Sequence, residues 1–383
     1  MTAEQNVTST GAAADHETRG LLRDSVNETL RRLGGIKLAR ALQNGDESSS
    51  RELRRTVTAS GWNATLVPAA RGGAGLGVAE ACIIAEEFGR VALPFPLIAC
   101  DLLPSLVLSA ASDGAGVPAK QPLGRLLEGS ARYALAWQES DRAAADSMGE
   151  TRADDKSRTI TGRKLFVVGG DAADSLIVAA RQGDGCGLYL VDAKRAGVSI
   201  RTDRAVDGTR YATVELRDAA VVQIVARDGQ ARALLAAAVE LGQVAAGAEL
   251  FGGMCAALEL TLGYMRTRVQ FGRAIGAFQA LQHRAADLFV QKELSRAVLD
   301  EAIVAMDTGG SGGQRHSAVH RAKARCSDAA LRVAKDAVQL HGAIGYTDEY
   351  DLSLYLKRAM VLASWLGNGT AHRREYFRVA YAQ

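Results

Sequence analysis

The spacing of apolar and polar positions divides the chain into three stretches. From about Glu17 to Ala110 apolar residues recur every three or four positions, as in L-L-R-D-S-V-N-E-T-L-R-R-L. That period predicts helices with one buried face. A polar, serine-rich break at Gln43–Ser50 interrupts them. Val78–Arg90 predicts a further helix, and Pro94 and Pro96 close the segment. Glu86 and Glu87 on that helix are expected at a solvated edge and not as catalytic carboxylates.

After about Leu127 the period shortens. Tyr133–Trp137, Lys164–Val168, Ser175–Arg181, Gly187–Asp192, Val198–Arg201 and Ala212–Arg217 read as strands separated by Gly and Asp turns. No long helix intervenes, so a mostly antiparallel sheet or barrel is expected. From about Asp228 the pattern is helical to the end, with T-G-G-S-G-G-Q (Thr308–Gln314) read as a flexible connection between two helices. The expected fold class is mainly α with a central β-domain. The expected division is a tail over 1–16, an N-terminal helical domain over 17–120, a small antiparallel β-domain over 121–227, and a C-terminal four-helix bundle over 228–383.

Composition narrows the function classes. With 383 residues and a net charge of +3, signs interspersed, the chain shows no nucleic-acid footprint. The five cysteines are scattered without metal-ligand spacing, which predicts buried, reduced thiols and a cytoplasmic protein, with no metal site. The polar N-terminus lacks a signal pattern. The most apolar window, Ala231–Leu260, is interrupted by Glu240, Gln243, Glu249 and Glu259 and by four glycines. It predicts a buried core helix and no membrane span.

Two stretches carry the chemistry: M-R-T-R-V-Q-F-G-R-A-I-G-A-F-Q-A-L-Q-H from Met265 to His283, and Q-L-H-G-A-I-G-Y from Gln339 to Tyr346. In order and spacing, R-x-x-F-G, F-Q-x-x-Q-H and Q-L-H-G-x-x-G-Y resemble the flavin-binding core of the acyl-CoA dehydrogenase family. The resemblance covers the chain from about residue 20. It implies FAD at a subunit interface, with Arg268 reaching the pyrophosphate and Phe271 on the adenine side. Phe278, Gln279, Gln282, Gln339 and Gly342 would complete the grip. A guanidinium fork suits phosphate oxygens, and glycine lets backbone N–H groups come close. The strand through Phe166 and Val168 would pass along the isoalloxazine. Trp137 is either an aromatic platform or a large core residue. W-Q-E-S-D-R (Trp137–Arg142) departs from the Glu-Pro-x-x-Gly-Ser-Asp loop usual in relatives. No G-x-G-x-x-G follows a first strand, so the flavin is not held by a dinucleotide fold.

The implied reaction, α,β-dehydrogenation of an acyl-CoA, needs a carboxylate in a water-poor pocket. Many relatives place it before a Gly-Thr pair; here that position is Asn368. A minority place it on the helix leading to R-x-x-F-G; counting back from Phe271 gives Gly242, followed by Gln243. Glu240 and Glu249 lie nearby. Carboxylates in so apolar a run cost several kcal/mol unless paired or protonated, which makes each a candidate base or half of a buried ion pair. They are nine residues apart and face opposite sides of a helix, so one at most meets the flavin. Glu240 lies nearer the position the resemblance indicates. G-R-V-A-L-P-F-P (Gly89–Pro96) and G-N-G-T-A-H-R resemble the bacterial subgroup handling bulky acyl-CoAs, including steroid side chains. The implied partners are an acyl-CoA substrate, electron-transfer flavoprotein or a similar acceptor, and a homo- or heterotetramer. Two rival roles follow: a non-catalytic partner subunit, and a flavin monooxygenase on the same scaffold.

Overall fold

The structure is a computed structural model describing residues 16–111, 120–140, 149–309 and 312–381. The expected tail, apart from His16, lies outside the described residues, as do 141 and 142 of the departing loop and 310–311 of the expected connection.

The N-terminal unit packs α1 (His16–Arg32), α2 (Ile36–Gln43), α3 (Glu47–Ala59), α4 (Val78–Arg90), α5 (Leu103–Ser109) and α6 (Lys120–Leu127). The polar break at Gln43–Ser50 is a helix boundary because Asp46 is an N-cap, accepting a hydrogen bond from the Ser48 backbone N–H at 3.0 Å. The α4 boundaries are those the sequence predicts. Glu86 and Glu87, expected at a solvated edge, are instead buried. Arg23 reaches both, at 2.7 and 3.0 Å, and Arg296 reaches Glu86 at 2.6 Å. Both faces of α4 are covered, one by α1 and the other by the C-terminal bundle, so its charges must be paired within the protein.

Among the described residues, seven strands form the central unit: β1 (Tyr133–Ala136), β2 (Arg152–Asp154), β3 (Thr159–Val168), β4 (Ser175–Gln182), β5 (Gly185–Asp192), β6 (Val198–Arg204) and β7 (Arg210–Arg227). Hydrogen bonding runs β2–β3–β7–β5–β4 and returns from β4 to β2, closing a small barrel. Its pairs are antiparallel except at β4, which meets β1 and β2 in parallel. Alternate residues of β4 point to two cores. Leu176, Val178 and Ala180 fill the barrel, while Ile177 and Ala179 join the helical core. Burial on both faces explains why β4 and β5 read as unbroken apolar runs. β7 extends well beyond the expected Ala212–Arg217, because Asp218 takes a positive φ of 48° and the ladder continues past it to Arg227.

The C-terminal unit is built on α7 (Asp228–Thr267), 40 residues long, with α8 (Gln279–Asp307), α9 (Gly312–His341), α10 (Leu352–Ser364) and α11 (Gly369–Tyr381). α7 is long and apolar enough to cross a membrane, but 83% of its most apolar window is buried inside the protein. The five cysteines are buried and unpaired. The tightest crossing is α4 on α7: a Cβ at Gly89 would strike the Glu249 carbonyl, and one at Gly252 the Glu86 carbonyl. Gly89→Val is therefore expected to lower unfolding free energy by about 3 kcal/mol or more, since two backbones must part; urea denaturation followed by circular dichroism measures it.

Candidate active site

The two motif stretches meet at one end of the bundle. α7 ends at Thr267, and a two-residue hairpin follows, pairing Val269 with Ala274 and Gln270 with Arg273. Its turn residues both take positive φ, 52° at Phe271 and 79° at Gly272. Positive φ at both positions matches the strand twist of a tight hairpin, but it is strained for a phenylalanine. Phe271 is 91% exposed, and its ring meets Phe278 edge-on at 6.1 Å, with Arg273 4.1 Å over the Phe278 ring. Tyr264 on α7 stacks on His341 of α9 at 4.4 Å, which brings Arg268 and Gln339 to the same end. Arg268, Gln279, Gln282, Gln339 and Gly342 are all exposed. The Gln282 amide donates to the Gly276 carbonyl at 2.9 Å, and Gly342, at φ 66°, has open space where a Cβ would stand. Among the described residues Arg268 has no ion-pair partner. The other candidates sit on the barrel side. Phe166 is half-exposed with φ 54°, Val168 is buried against Cys100 and Trp365, and Trp137 is buried in the helical core.

The two positions indicated for a base face one another. A Cβ on Gly242 would stand 2.7 Å from Leu366, two residues before Asn368. The turn there is held by donors from three helices. Gln243 and His372 donate to the Leu366 carbonyl at 3.4 and 3.0 Å, and Lys323 donates to the Leu362 and Gly367 carbonyls at 2.9 and 3.3 Å. His372 uses its Nε2–H on that carbonyl, so its Nδ1 accepts from His320 Nδ1 at 2.6 Å, and both rings are neutral. Burial pushes His320 down to about 4 and His372 to about 2, and draws the fully enclosed Lys323 amine to about 7. These donors hold Leu366 at a φ of 59°. Asn368 is committed locally: its Oδ1 accepts from the Ala371 backbone N–H at 2.9 Å and caps α11.

The two glutamates differ. Glu240 meets Arg315 Nε at 2.8 Å and His316 Nδ1 at 3.0 Å. Burial alone would raise its pKa, but these donors hold the carboxyl below its usual range. Glu249 is buried against Arg358, whose Nη2 and Nε reach Oε1 at 2.6 and 2.7 Å. The same guanidinium holds Asp207 at 2.8 Å and Thr209 at 3.0 Å. Burial pushes Glu249 up to about 7; the Arg358 charge opposes that and the Asp207 charge adds to it. Glu249 and Arg358 line a small cavity of about 20 Å³, with Val168, Tyr211 and Trp365 also in its wall. Sequence reasoning missed Arg358, Asp207, Lys323, His320 and His372. A usable signal existed for Arg358: a lone arginine ahead of the apolar run A-M-V-L-A.

The chain combines a helical unit, a small barrel and a helical bundle with an exposed arginine–aromatic edge and an enclosed carboxylate. Comparison with known proteins gives the family. Residues 16–113 match the model of the acyl-CoA dehydrogenase N-terminal domain, and residues 229–380 that of the C-terminal domain. The chain is 31% identical to acyl-CoA dehydrogenase IpdE2 of Mycolicibacterium smegmatis over 352 residues, 92% of this chain and 95% of that protein. A solved Tcur3481-Tcur3483 steroid ACAD variant superposes with a TM-score of 0.83 at 26% identity, covering 96% of this chain and 98% of that one. The ChsE4-ChsE5 complex from Mycobacterium tuberculosis, at 24% identity and a TM-score of 0.85 over 97% and 99% of the two chains, shares the fold. The chain therefore belongs to the acyl-CoA dehydrogenase family of flavoprotein oxidoreductases.

Arg358→Met would strand the Glu249 and Asp207 carboxylates in the interior. It is expected to cost about 3–5 kcal/mol of stability, read from denaturant unfolding. Asn368→Ala, which removes only a cap, should cost about 1 kcal/mol in the same assay.

Proposed function

We propose that this chain works in the FAD-dependent α,β-dehydrogenation of an acyl-CoA thioester. One observation carries the reading: Arg268, Phe271, Gln339 and Gly342 stand together at an exposed bundle end, with no partner for the guanidinium among the described residues. These groups fit FAD. The guanidinium offers a planar fork to pyrophosphate oxygens, the exposed ring a face to adenine, and the bare glycine backbone a close approach. Bound FAD would supply the acceptor for the hydride leaving the substrate β-carbon. Glu249 takes the α-proton: it is the enclosed carboxylate in the cavity that reaches Val168, and its raised pKa suits a base working near neutrality. Glu240, clamped by Arg315 and His316, holds the bundle together instead. Trp365 and Tyr211 line the cavity and exclude water from the reacting carbons. The electrons would pass on from the bound cofactor to an electron-transfer flavoprotein or a similar acceptor. The open edge calls for a second copy or a related chain to complete the grip.

A second reading follows from the pairing of both glutamates and the capping role of Asn368. Here the chain supplies the flavin edge and a related chain supplies the base, an arrangement suggested by the paired naming of the Tcur3481-Tcur3483 relative.

The test is purification of the chain, alone and with candidate partner chains, followed by anaerobic titration with a panel of acyl-CoAs. Bleaching of the flavin band is expected. Glu249→Gln should abolish it with FAD retained, and Glu240→Gln should leave it intact. The reduction rate should fall about tenfold per pH unit below about 7, because only ionised Glu249 accepts the proton. Bleaching that needs the partner and survives Glu249→Gln supports the second reading. A colourless protein in every combination rejects both.

A further inference from the structure

A cleft of about 120 Å³ lies between the N-terminal unit and the barrel, floored by Leu42, Pro94 and Phe95 and edged by Arg54, Arg132 and Arg210. It shares Phe95, Pro96, Val168 and Thr209 with the inner cavity that ends at Glu249. The outer cleft and the inner cavity therefore share a wall. The acidic groups on the cleft wall are already engaged. Asp46 accepts from the Ser48 backbone and hydroxyl and from the Ser49 hydroxyl, at 2.6–3.0 Å. Glu47 and Asp171 each hold Arg210 at 3.2 Å.

The other two arginines are held loosely. Arg54 Nη1 lies 4.0 Å from buried Asp101, too far for a hydrogen bond, and the second oxygen of Asp101 has no partner. The Arg54 guanidinium lies 5.1 Å over the Phe95 ring, which fixes it along the cleft wall. Arg132 Nε is also 4.0 Å from its carboxylate, Asp174, which accepts instead from Lys194 at 2.9 Å and from the Arg132 backbone N–H at 3.0 Å. Among the described residues, two guanidiniums thus line an apolar-floored cleft with donors uncommitted to any close acceptor.

We infer that Arg54 and Arg132 receive an anionic group, a carboxylate or a phosphate, on a ligand whose apolar body runs past Phe95 and Val168 toward Glu249. This deepens the proposed function and rests on its placement of the reacting carbons at Glu249. The anion has two possible sources: a carboxylate at the far end of the acyl group, or the phosphates of CoA.

Calorimetric titration of the flavin-loaded protein, with its partner chain where one is needed, tests this with three probes. They are an acyl-CoA with a terminal carboxylate, its methyl ester, and the same acyl group on pantetheine, each with sulfur in place of the β-carbon so that no hydride can leave. Arg54→Gln combined with Arg132→Gln should weaken the carboxylate probe about tenfold or more, since charge-assisted bonds are lost, and leave the methyl ester unchanged. Weakening of both CoA probes but not the pantetheine thioester assigns the anion to CoA. Arg132→Gln alone, at a half-exposed side chain, carries the same comparison if the double variant melts early. Equal affinity of variants and parent for all three probes overturns the inference. Binding is read without turnover, so a failure of flavin bleaching remains separate from a failure here.

Discussion

One guanidinium ties the C-terminal bundle to the barrel. Arg358 on α10 holds Glu249 on α7 and Asp207 and Thr209 from the turn between β6 and β7. Helices and barrel meet there over a buried cation with two acids, an arrangement that tolerates little movement. Leaving either acid unpaired in this setting costs more than the pair itself contributes. The same contact sets the chemistry of the inner cavity. Burial pushes the Glu249 carboxyl up to about 7, and the second acid on the same cation adds to that push.

The turn at Leu366–Asn368 obeys a related constraint with neutral groups. Its carbonyls face inward and need donors, because water cannot reach them. Lys323, His372 and Gln243 supply those donors from α9, α11 and α7. Burial keeps the imidazoles uncharged, so they act as hydrogen-bond donors without carrying charge into the core. With the turn held this way, Leu366 fills the space left by Gly242, and Asn368 turns outward to cap a helix. At the opposite extreme, the hairpin carrying Phe271 exposes a strained aromatic residue to solvent. That arrangement makes sense only where a ligand or a second chain covers it.

Much of this was legible along the chain. The switch from helical to strand period near Leu127 and back near Asp228 marks real changes in architecture. α4 begins and ends where its pattern does, because Gly77 and the break after Arg90 are local signals. Other features were hidden. β2 is three residues long and carries no periodicity, and the far half of β7 follows an Asp218 kink that reads as a turn. Glu86 and Glu87 look like a wet helix edge until α1 and α8 arrive to cover them.

By itself, the sequence determined the element types, the order of the three units, and the grouping of Arg268, Phe271, Gln339 and Gly342 into two motifs. These depend on period, turn chemistry and short-range spacing, all local properties. Only the tertiary structure decided which charges are paired. Glu240 lies nearest the position that the resemblance indicates, yet it is clamped by α9; Glu249, nine residues and about two and a half turns further on, meets the cavity beside Val168. A carboxylate's reactivity depends on what lies within a few ångströms in space, and Arg358 is 109 residues away along the chain. No period or motif encodes that distance; it exists only once the helices have packed.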